Sequence, residues 1–132
     1  MHTDIFTLCD RVQCYENKLM VIGAYDVISV QNTAPAPLSI SIAARIRFEK
    51  EECGPSIIKI EASEVATGIK VLDIDNPIDI EARNPIGEGL LNVVLNDVPV
   101  LLPREGKYEF TLSVEGKANG TDTFGLHLVK VP

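Results

Sequence analysis

The sequence predicts an all-β fold, an antiparallel β-sandwich of about eight or nine strands that is immunoglobulin-like or C2-like. Short runs of β-forming residues recur roughly every ten residues and are separated by Gly, Pro, Asn and Asp. In the clearest runs, apolar and polar residues alternate with the period of two that places one face of a strand in the core. No segment longer than one turn shows a helical period. A closed barrel is the alternative, because both architectures share this pattern.

Length and composition indicate one domain that spans residues 1–132. A chain of 132 residues can bury roughly two-thirds of its unfolded surface, which is enough for a core of its own. Hydrophobic residues make up 45% of the chain, but they occur in short runs, so neither disorder nor a membrane span is expected. The first residues lack a basic region followed by an apolar one, so we expect a cytoplasmic location.

The first part of the chain predicts two paired strands and then a change of layer. Residues 5–14 are rich in β-formers, residues 15–18 favour a turn, and residues 19–23 are predicted to pair back. The chain is predicted to continue extended through residues 25–30. Residues 32–37 contain prolines, which cannot donate ladder hydrogen bonds, so we expect a stiff surface connection between two layers there.

The middle of the chain predicts further strands with one buried face. Residues 39–49 alternate most clearly, and their buried face is predicted to consist of Ile40, Ile42, Ala44, Ile46 and Phe48. After a charged loop, residues 57–64 resume the alternation. Residues 68–75 and 78–82 are predicted as two short strands, because an Asn-Pro pair lies between them.

Residues 90–95 and 98–102 are apolar on both faces. Such a segment is typical either of a central strand covered on both sides or of a contact between subunits. Leu90, Val94 and Leu101 are therefore the candidate interface residues.

Residues 102–131 predict a β-hairpin, which is the best-defined unit of the chain. Its buried face is predicted to contain Tyr108, Phe110, Leu112, Val114, Phe124, Leu126 and Leu128. Residues 116–120 begin and end with glycine and supply the positive φ angles that a hairpin turn needs. The Asn-Gly-Thr triplet at 119–121 has the form of a glycosylation acceptor, but we interpret it as part of this turn.

Both ends of the chain resemble one family. The shared residues are Leu8-Cys9-Asp10, Val12-Gln13 and Lys18-Leu19-Met20-Val21-Ile22-Gly23 at the start, with Gly106, Tyr108, Phe110 and Val114-Glu115-Gly116 at the end. They resemble a bacterial family of small, uncharacterised proteins that share these motifs. The resemblance implies a compact β-sandwich of unknown function, and it provides no activity and no site residues.

The chain carries 19 acidic and 12 basic residues, which gives a formal net charge of −7. Phosphate backbones are bound mainly by Lys and Arg, so this charge argues against nucleic acid binding and against docking on an anionic membrane. The three cysteines, in a chain without an export signal, are expected to be free thiols. Together with two scattered histidines they do not supply the four close ligands of a zinc site.

Residues suited to catalysis are nearly absent, so we do not expect an enzyme. The chain has no Gly-x-Ser-x-Gly motif, and its histidines are His2, near the terminus, and His127, which is predicted to face outward. A Cys–His pair would require Cys9 or Cys14 to lie beside His127, which needs the first and last strands to be neighbours. We interpret these cysteines as packing residues.

Three carboxylates around the Asn-Pro pair are the metal-ligand candidates. Asp73, Asp75 and Asp79 could converge as hard oxygen ligands on Ca²⁺, although their spacing does not match an EF-hand loop. A glycosidase that uses Asp73 or Asp79 with Glu81 is a weaker alternative. Sugar-binding surfaces depend on aromatic side chains, and the chain has three Tyr and no Trp.

The sequence therefore predicts a non-catalytic β-sandwich that acts through contact with another protein, or with a second copy of itself. The alternative is a module that binds a small ligand, a carbohydrate or calcium. No cofactor is expected.

Overall fold

The computed structural model describes residues 1–31, 35–117 and 121–131 of the chain. Its strands are β1 (His2–Tyr15), β2 (Lys18–Tyr25), β3 (Val27–Val30), β4 (Ala36–Phe48), β5 (Gly54–Glu64), β6 (Lys70–Ile80), β7 (Gly89–Leu102), β8 (Gly106–Val114) and β9 (Thr121–Lys130), with a 3₁₀ turn at Lys50–Glu52. The predicted connection at 32–37 and the predicted turn at 116–120, with its Asn-Gly-Thr triplet, fall partly outside the described residues.

The strands form two sheets that share one core, so the predicted all-β sandwich is confirmed and the closed barrel is wrong. The first sheet has the order β2-β1-β4-β7, and the second has the order β3-β9-β8-β5-β6. Neighbouring strands are antiparallel, except that β3 runs parallel to β9. Buried residues from both sheets belong to a single hydrophobic cluster between them.

The core consists largely of the alternating residues that the sequence predicts. The predicted inward residues of β4 and β8 are all buried: Ile40, Ile42, Ala44, Ile46, Phe48, Tyr108, Phe110, Leu112 and Val114. The Tyr108 hydroxyl donates a hydrogen bond of 2.6 Å to the carbonyl oxygen of Arg104. The bond from a tyrosine early in a strand to the backbone four residues upstream has the same form as the tyrosine corner found in many β-sandwiches. Burial raises the pKa of Tyr108, so the hydroxyl keeps the proton that it donates.

The two lateral sides of the sandwich differ. On one side the chain passes from β2 in the first sheet to β3 in the second through Asp26, so continuous chain closes that side. Phe6 and Phe124 also connect the two sheets, with their rings edge to face and 6.3 Å between the centroids. On the opposite side lie β6 and β7, which are edge strands of different sheets.

The β1–β2 hairpin packs onto the outer face of its own sheet. Its buried contacts form a second apolar cluster that consists of Cys9, Val12 and Ala43, with Leu19 and Val21 packed against them. The Asn96 side chain of β7 accepts a hydrogen bond of 3.0 Å from the Val12 amide and donates one of 2.8 Å to the Val12 carbonyl. Gly23, with φ of 68°, lies against the Asp10 carboxylate and leaves no room for a Cβ atom there. The hairpin therefore covers part of the outer face of β4 and β7.

The prediction of two short strands at 68–75 and 78–82 is wrong, because β6 is one continuous strand from Lys70 to Ile80. The Asn-Pro pair does not interrupt it. β6 is an edge strand, so one of its sides has no partner strand, and a proline without an N–H can be accommodated on that side.

Of the two alternatives for residues 90–95 and 98–102, the central strand is wrong. These residues belong to β7, which is the last strand of its sheet and, among the described residues, has β4 as its neighbour on one side only. Asp97 has a φ of 58°, and the pairing register shifts opposite it, between Ile40 and Ile42 of β4. A β-bulge at this point therefore divides β7 into two halves.

Candidate functional site

The strands β6 and β7 diverge from the loop between them like the two arms of a wedge. Within the loop, the Arg83 amide donates to the Glu88 carbonyl at 2.9 Å, and an isolated β-bridge joins Ala82 to Gly89. After this bridge β7 enters the first sheet, whereas β6 lies in the second. Gly89 is buried at the apex, where a Cβ atom would lie 2.7 Å from Ile80 Cγ2. The apex is therefore too tight for any side chain at residue 89.

A cavity of about 390 Å³ lies between the two arms, and we call it the wedge cavity. Its walls are mostly aliphatic side chains from β5, β6 and β7: Ile58, Ile60, Ile74, Ile78, Leu91, Val93 and Leu95. Asn76 of β6 is the polar residue on the β6 wall. The cavity has the size of a small-molecule site and opens toward the edges of both sheets.

One half of β7 has no charge, proline or bulge, although the tip of the first hairpin contacts the Asn92 side chain on its outer face through Cys14 and Asn17. Residues 90–95, which we call the open edge, have the sequence Leu-Leu-Asn-Val-Val-Leu and contain neither a charge nor a proline. The other half of β7 has the Asp97 bulge and Pro99, and β6 carries Pro77 in its middle. Charges, prolines and bulges all hinder the addition of a further strand. The open edge alone permits it along β6 and β7.

The predicted interface residues all lie on β7, but the structure brings only two of them into the open edge. Leu90 is half-buried opposite Arg47, and Val94 is 38% exposed opposite Ala43. Val94 also borders the wedge cavity. Leu101 is 53% exposed but lies beyond Pro99, on the protected half of the strand.

The predicted calcium ligands do not converge. Asp73, Asp75 and Asp79 are exposed along one side of β6, and the first and last are six residues apart, or about 20 Å in an extended strand. Asp73 lies 3.4 Å from the Lys70 amine, and Asp75 lies 3.8 Å from the Lys59 amine. In the part of the chain that the structure describes, no group of three or more His, Cys, Asp or Glu residues could hold a metal ion.

The cysteines and the histidine that could have formed a Cys–His pair belong to different sheets. Cys9 is buried, as expected of a packing residue, whereas Cys14 is exposed, so that interpretation is wrong for Cys14; both belong to β1 of the first sheet. His127 is exposed on β9 of the second sheet. All three cysteines are free thiols, and burial raises the pKa of Cys9, which keeps its thiol protonated and unreactive. Neither cysteine is therefore placed as a nucleophile beside this histidine.

The three tyrosines do not form a surface for a sugar ring. Tyr15 is exposed at the tip of the first hairpin, Tyr25 is half-buried where the chain changes sheets, and Tyr108 is in the core.

A buried carboxylate with an exposed arginine partner was not anticipated from the sequence. Glu64 is 1% exposed and accepts a hydrogen bond of 2.6 Å from the Thr67 hydroxyl. Its second oxygen lies 2.9 Å from Arg104 Nε, in an ion pair without hydrogen-bond alignment. This contact connects the end of β5 to the loop before β8, next to Tyr108. A lone Glu in a strand pattern gives no signal of such a role.

The β6 wall of the wedge cavity was missed as well, although the sequence contains a signal for it. Isoleucines at 74, 78 and 80 alternate with aspartates at 73, 75 and 79, and the period of two continues through the proline. A continuous edge strand could have been predicted from this alternation, but the neighbouring sheet edge could not.

Comparison with known proteins gives a family but no activity. Residues 4–125 match the model of a family of unknown function, DUF6941, which confirms the expectation of an uncharacterised family. No curated protein matches the chain. Among the described residues, no helix is long and apolar enough to cross a membrane.

Proposed function

Because the chain belongs to DUF6941, a family of unknown function, we propose a function from the geometry of this chain itself. The protein is a non-catalytic β-sandwich that binds another protein through the open edge of β7 and the wedge cavity beside it. The observation that carries this proposal is the unprotected open edge at residues 90–95.

An unprotected edge strand exposes a protein to unwanted association with other chains. Unpaired backbone groups along an apolar strand are a template for pairing with other chains, and natural proteins therefore block such edges. Of the other edge strands, β3 is only four residues long, and β6 carries Pro77 with exposed aspartates on both sides of it. The edge strand β2 also lacks a proline, but it does not border the wedge cavity. The open edge, in contrast, joins unpaired backbone to an apolar cavity. An unpaired apolar edge beside an apolar cavity is expected where a partner protein covers both.

Charge and chemistry support contact rather than catalysis. The structure places Cys9 and Cys14 in a different sheet from His127, and it separates the three aspartates that could have bound a metal. The wedge cavity is walled mainly by aliphatic side chains, which bind by burial and do not transfer protons.

The test is capture of partners by the tagged chain of residues 1–132 and by two matched variants. Val94→Asp places a charge in the open edge, and Val129→Asp places the same charge on the outer face of β9. These two valines are 38% and 37% exposed, so the substitutions are matched in side chain and in exposure. We expect wild type and Val129→Asp to retain a stoichiometric protein partner that Val94→Asp loses. The melting temperatures of both variants show whether each remains folded.

A partner that Val94→Asp retains as well as wild type would contradict the proposed interface. A partner lost equally by Val129→Asp would contradict it too, because β9 lies far from the open edge in the strand order of the other sheet.

A second candidate is the binding of a small apolar ligand in the wedge cavity. Its volume of about 390 Å³ and aliphatic walls favour this candidate over calcium or carbohydrate, whose predicted residues lie apart. The fluorescent dye 8-anilinonaphthalene-1-sulfonate is a suitable probe. Binding that Asn76→Phe abolishes, in the folded protein, supports this candidate, and binding unaffected by Asn76→Phe contradicts it.

A further inference from the structure

We propose that the partner segment is an extended, basic stretch of chain that adds to β7 as a strand, with alternate apolar side chains in the wedge cavity. This inference rests on the proposed function and specifies the chemistry of the partner. Three features of the wedge support it: the unpaired backbone of the open edge, the shape of the cavity, and the charge around it.

The backbone of the open edge determines the conformation of the partner. Residues 90–95 pair with β4 on one side only, in register from Arg47 to Ile42. On the other side, the N–H and C=O groups of alternate residues have no partner strand. An extended segment satisfies such groups, whereas a helix has already used its own backbone groups. The segment matched to the open edge has about six residues and spans about 20 Å.

The cavity determines which of its side chains are apolar. In a strand added to β7, successive side chains point to opposite faces of the first sheet. Those on the inner face enter the wedge cavity, between Leu91, Val93 and Leu95 on one wall and Ile74 and Ile78 on the other. Every second residue of the partner is therefore aliphatic. Asn76, on the same wall as the isoleucines, offers an amide to its polar groups.

The charge around the wedge favours a basic partner. Asp79 on β6 and Glu81 in the loop are exposed beside the apex, and neither has an ion-pair partner among the described residues. Of the neighbouring cations, Lys59 lies near Asp75 and Arg83 near Glu88. Arg45 donates to Asn92 of the open edge and has no carboxylate partner among the described residues, so the carboxylates that remain free lie at the loop end of the wedge. A Lys or Arg at the end of the segment nearest the loop would meet these free carboxylates.

Charge also disfavours a second copy of this chain as the occupant. If β7 paired with its own copy about a two-fold axis perpendicular to the sheet, the two second sheets would lie on one side. Their β6 edges, each with the exposed Asp79 that has no ion-pair partner among the described residues, would then face each other. Each copy also carries a net charge of −7. A different chain with the opposite charge avoids both sources of repulsion.

The test is selection from a random twelve-residue peptide library displayed on phage, with the full chain as bait. Two variants serve as parallel baits: Asn76→Lys fills the wedge cavity with a cation, and Thr123→Lys adds the same cation on exposed β9. We expect peptides that bind wild type and Thr123→Lys but not Asn76→Lys. We expect them to alternate aliphatic with other residues and to carry Lys or Arg.

Synthetic versions of the selected peptides then test strand addition directly. In an added strand, alternate backbone amides point toward β7 and the others point away from it. N-methylation of the amides that point toward β7 removes their hydrogen bonds and should weaken binding about tenfold or more, whereas N-methylation of the other amides should have a smaller effect. Replacing Lys or Arg by Glu should also weaken binding, and the double variant Asp79→Asn with Glu81→Gln should reduce that difference.

The inference is overturned if no selected peptide depends on Asn76, if the peptides show helical spacing or no basic residues, or if N-methylation in either register has no effect. If partner capture still depends on Val94 in that case, the proposed function stands and the partner presents a folded surface. If capture is also independent of Val94, both fail.

Discussion

Gly89→Ala should destabilise the protein, because the two arms of the wedge meet too closely at residue 89 for a methyl group. The new Cβ atom would lie 2.7 Å from Ile80 Cγ2, 2.9 Å from Cys53 Sγ and 3.4 Å from Phe48 Cβ. Overpacking of this kind costs about 1–3 kcal/mol. Alanine recovers about 0.5–1 kcal/mol in a strand, because glycine loses more conformational entropy on folding.

Two of the three contacts are shorter than 3.0 Å, so the overpacking cost lies in the upper part of its range, about 2–3 kcal/mol. After the gain of about 0.5–1 kcal/mol, the expected loss in the free energy of unfolding is about 1–2.5 kcal/mol. For a chain of 132 residues, 1 kcal/mol corresponds to a change of about 4 °C in melting temperature. The melting temperature of Gly89→Ala should therefore fall by about 4–10 °C, measured by circular dichroism and checked by urea denaturation.

Gly125→Ala is the matched control, because it is a strand glycine without a positive φ angle. A Cβ atom there would lie 3.2 Å from Lys107 Cε, which is near the end of a flexible side chain and can move away. Only the entropic gain remains, so this variant should melt at the same temperature as wild type or up to about 4 °C higher. A Gly89→Ala protein as stable as wild type would refute the geometry of the apex, as would equal losses in both variants.

Three further predictions concern the contacts that hold the sandwich together. Tyr108→Phe should cost about 1 kcal/mol in thermal unfolding, because it removes the donor to the Arg104 carbonyl, whereas Tyr15→Phe on the exposed hairpin tip should have no effect. The hydrogen bonds from Arg47 lower the pKa of Asp4, and those from the terminal amine lower the pKa of Glu52. Their stabilising contribution is therefore present above the ordinary carboxyl pKa and is lost as the pH falls through the lower folded values. The urea midpoint should fall with pH below about 4, and less steeply in Asp4→Asn; an unchanged slope would contradict the pairing. Of the thiols, exposed Cys14 should react with Ellman's reagent in the folded protein and buried Cys9 only after unfolding, so rapid labelling of Cys9 in Cys14→Ser would contradict the packing of the first hairpin.

The strands that the sequence predicted best are those with one face in the core. In β8, Tyr108, Phe110 and Leu112 alternate with polar residues, and the structure buries all three. This success has a local cause, since the period of two is written into the strand itself. The hairpin of β8 and β9 and the strand β4 could be predicted for the same reason.

The wedge could not be predicted, because it depends on which strands lie at the sheet edges. Residues 90–95 look the same in sequence whether β7 is central or at an edge, and only the long-range order of the strands decides between them. The error at Pro77 has a related cause: a proline breaks a central strand but not an edge strand. Leu90 and Val94 were chosen as candidate interface residues from their apolar character, but their position on an edge strand was not predicted.

The most direct test of the central claim is amide hydrogen exchange of the full chain, read by mass spectrometry, with and without the partner captured by wild type. If the partner binds as proposed, exchange should slow in peptides that cover residues 90–95 and 74–78 and remain unchanged in β2 and β3 on the closed side. Slowing confined to the closed side, or to the exposed tip of the first hairpin, would show that the partner binds elsewhere and would contradict the account.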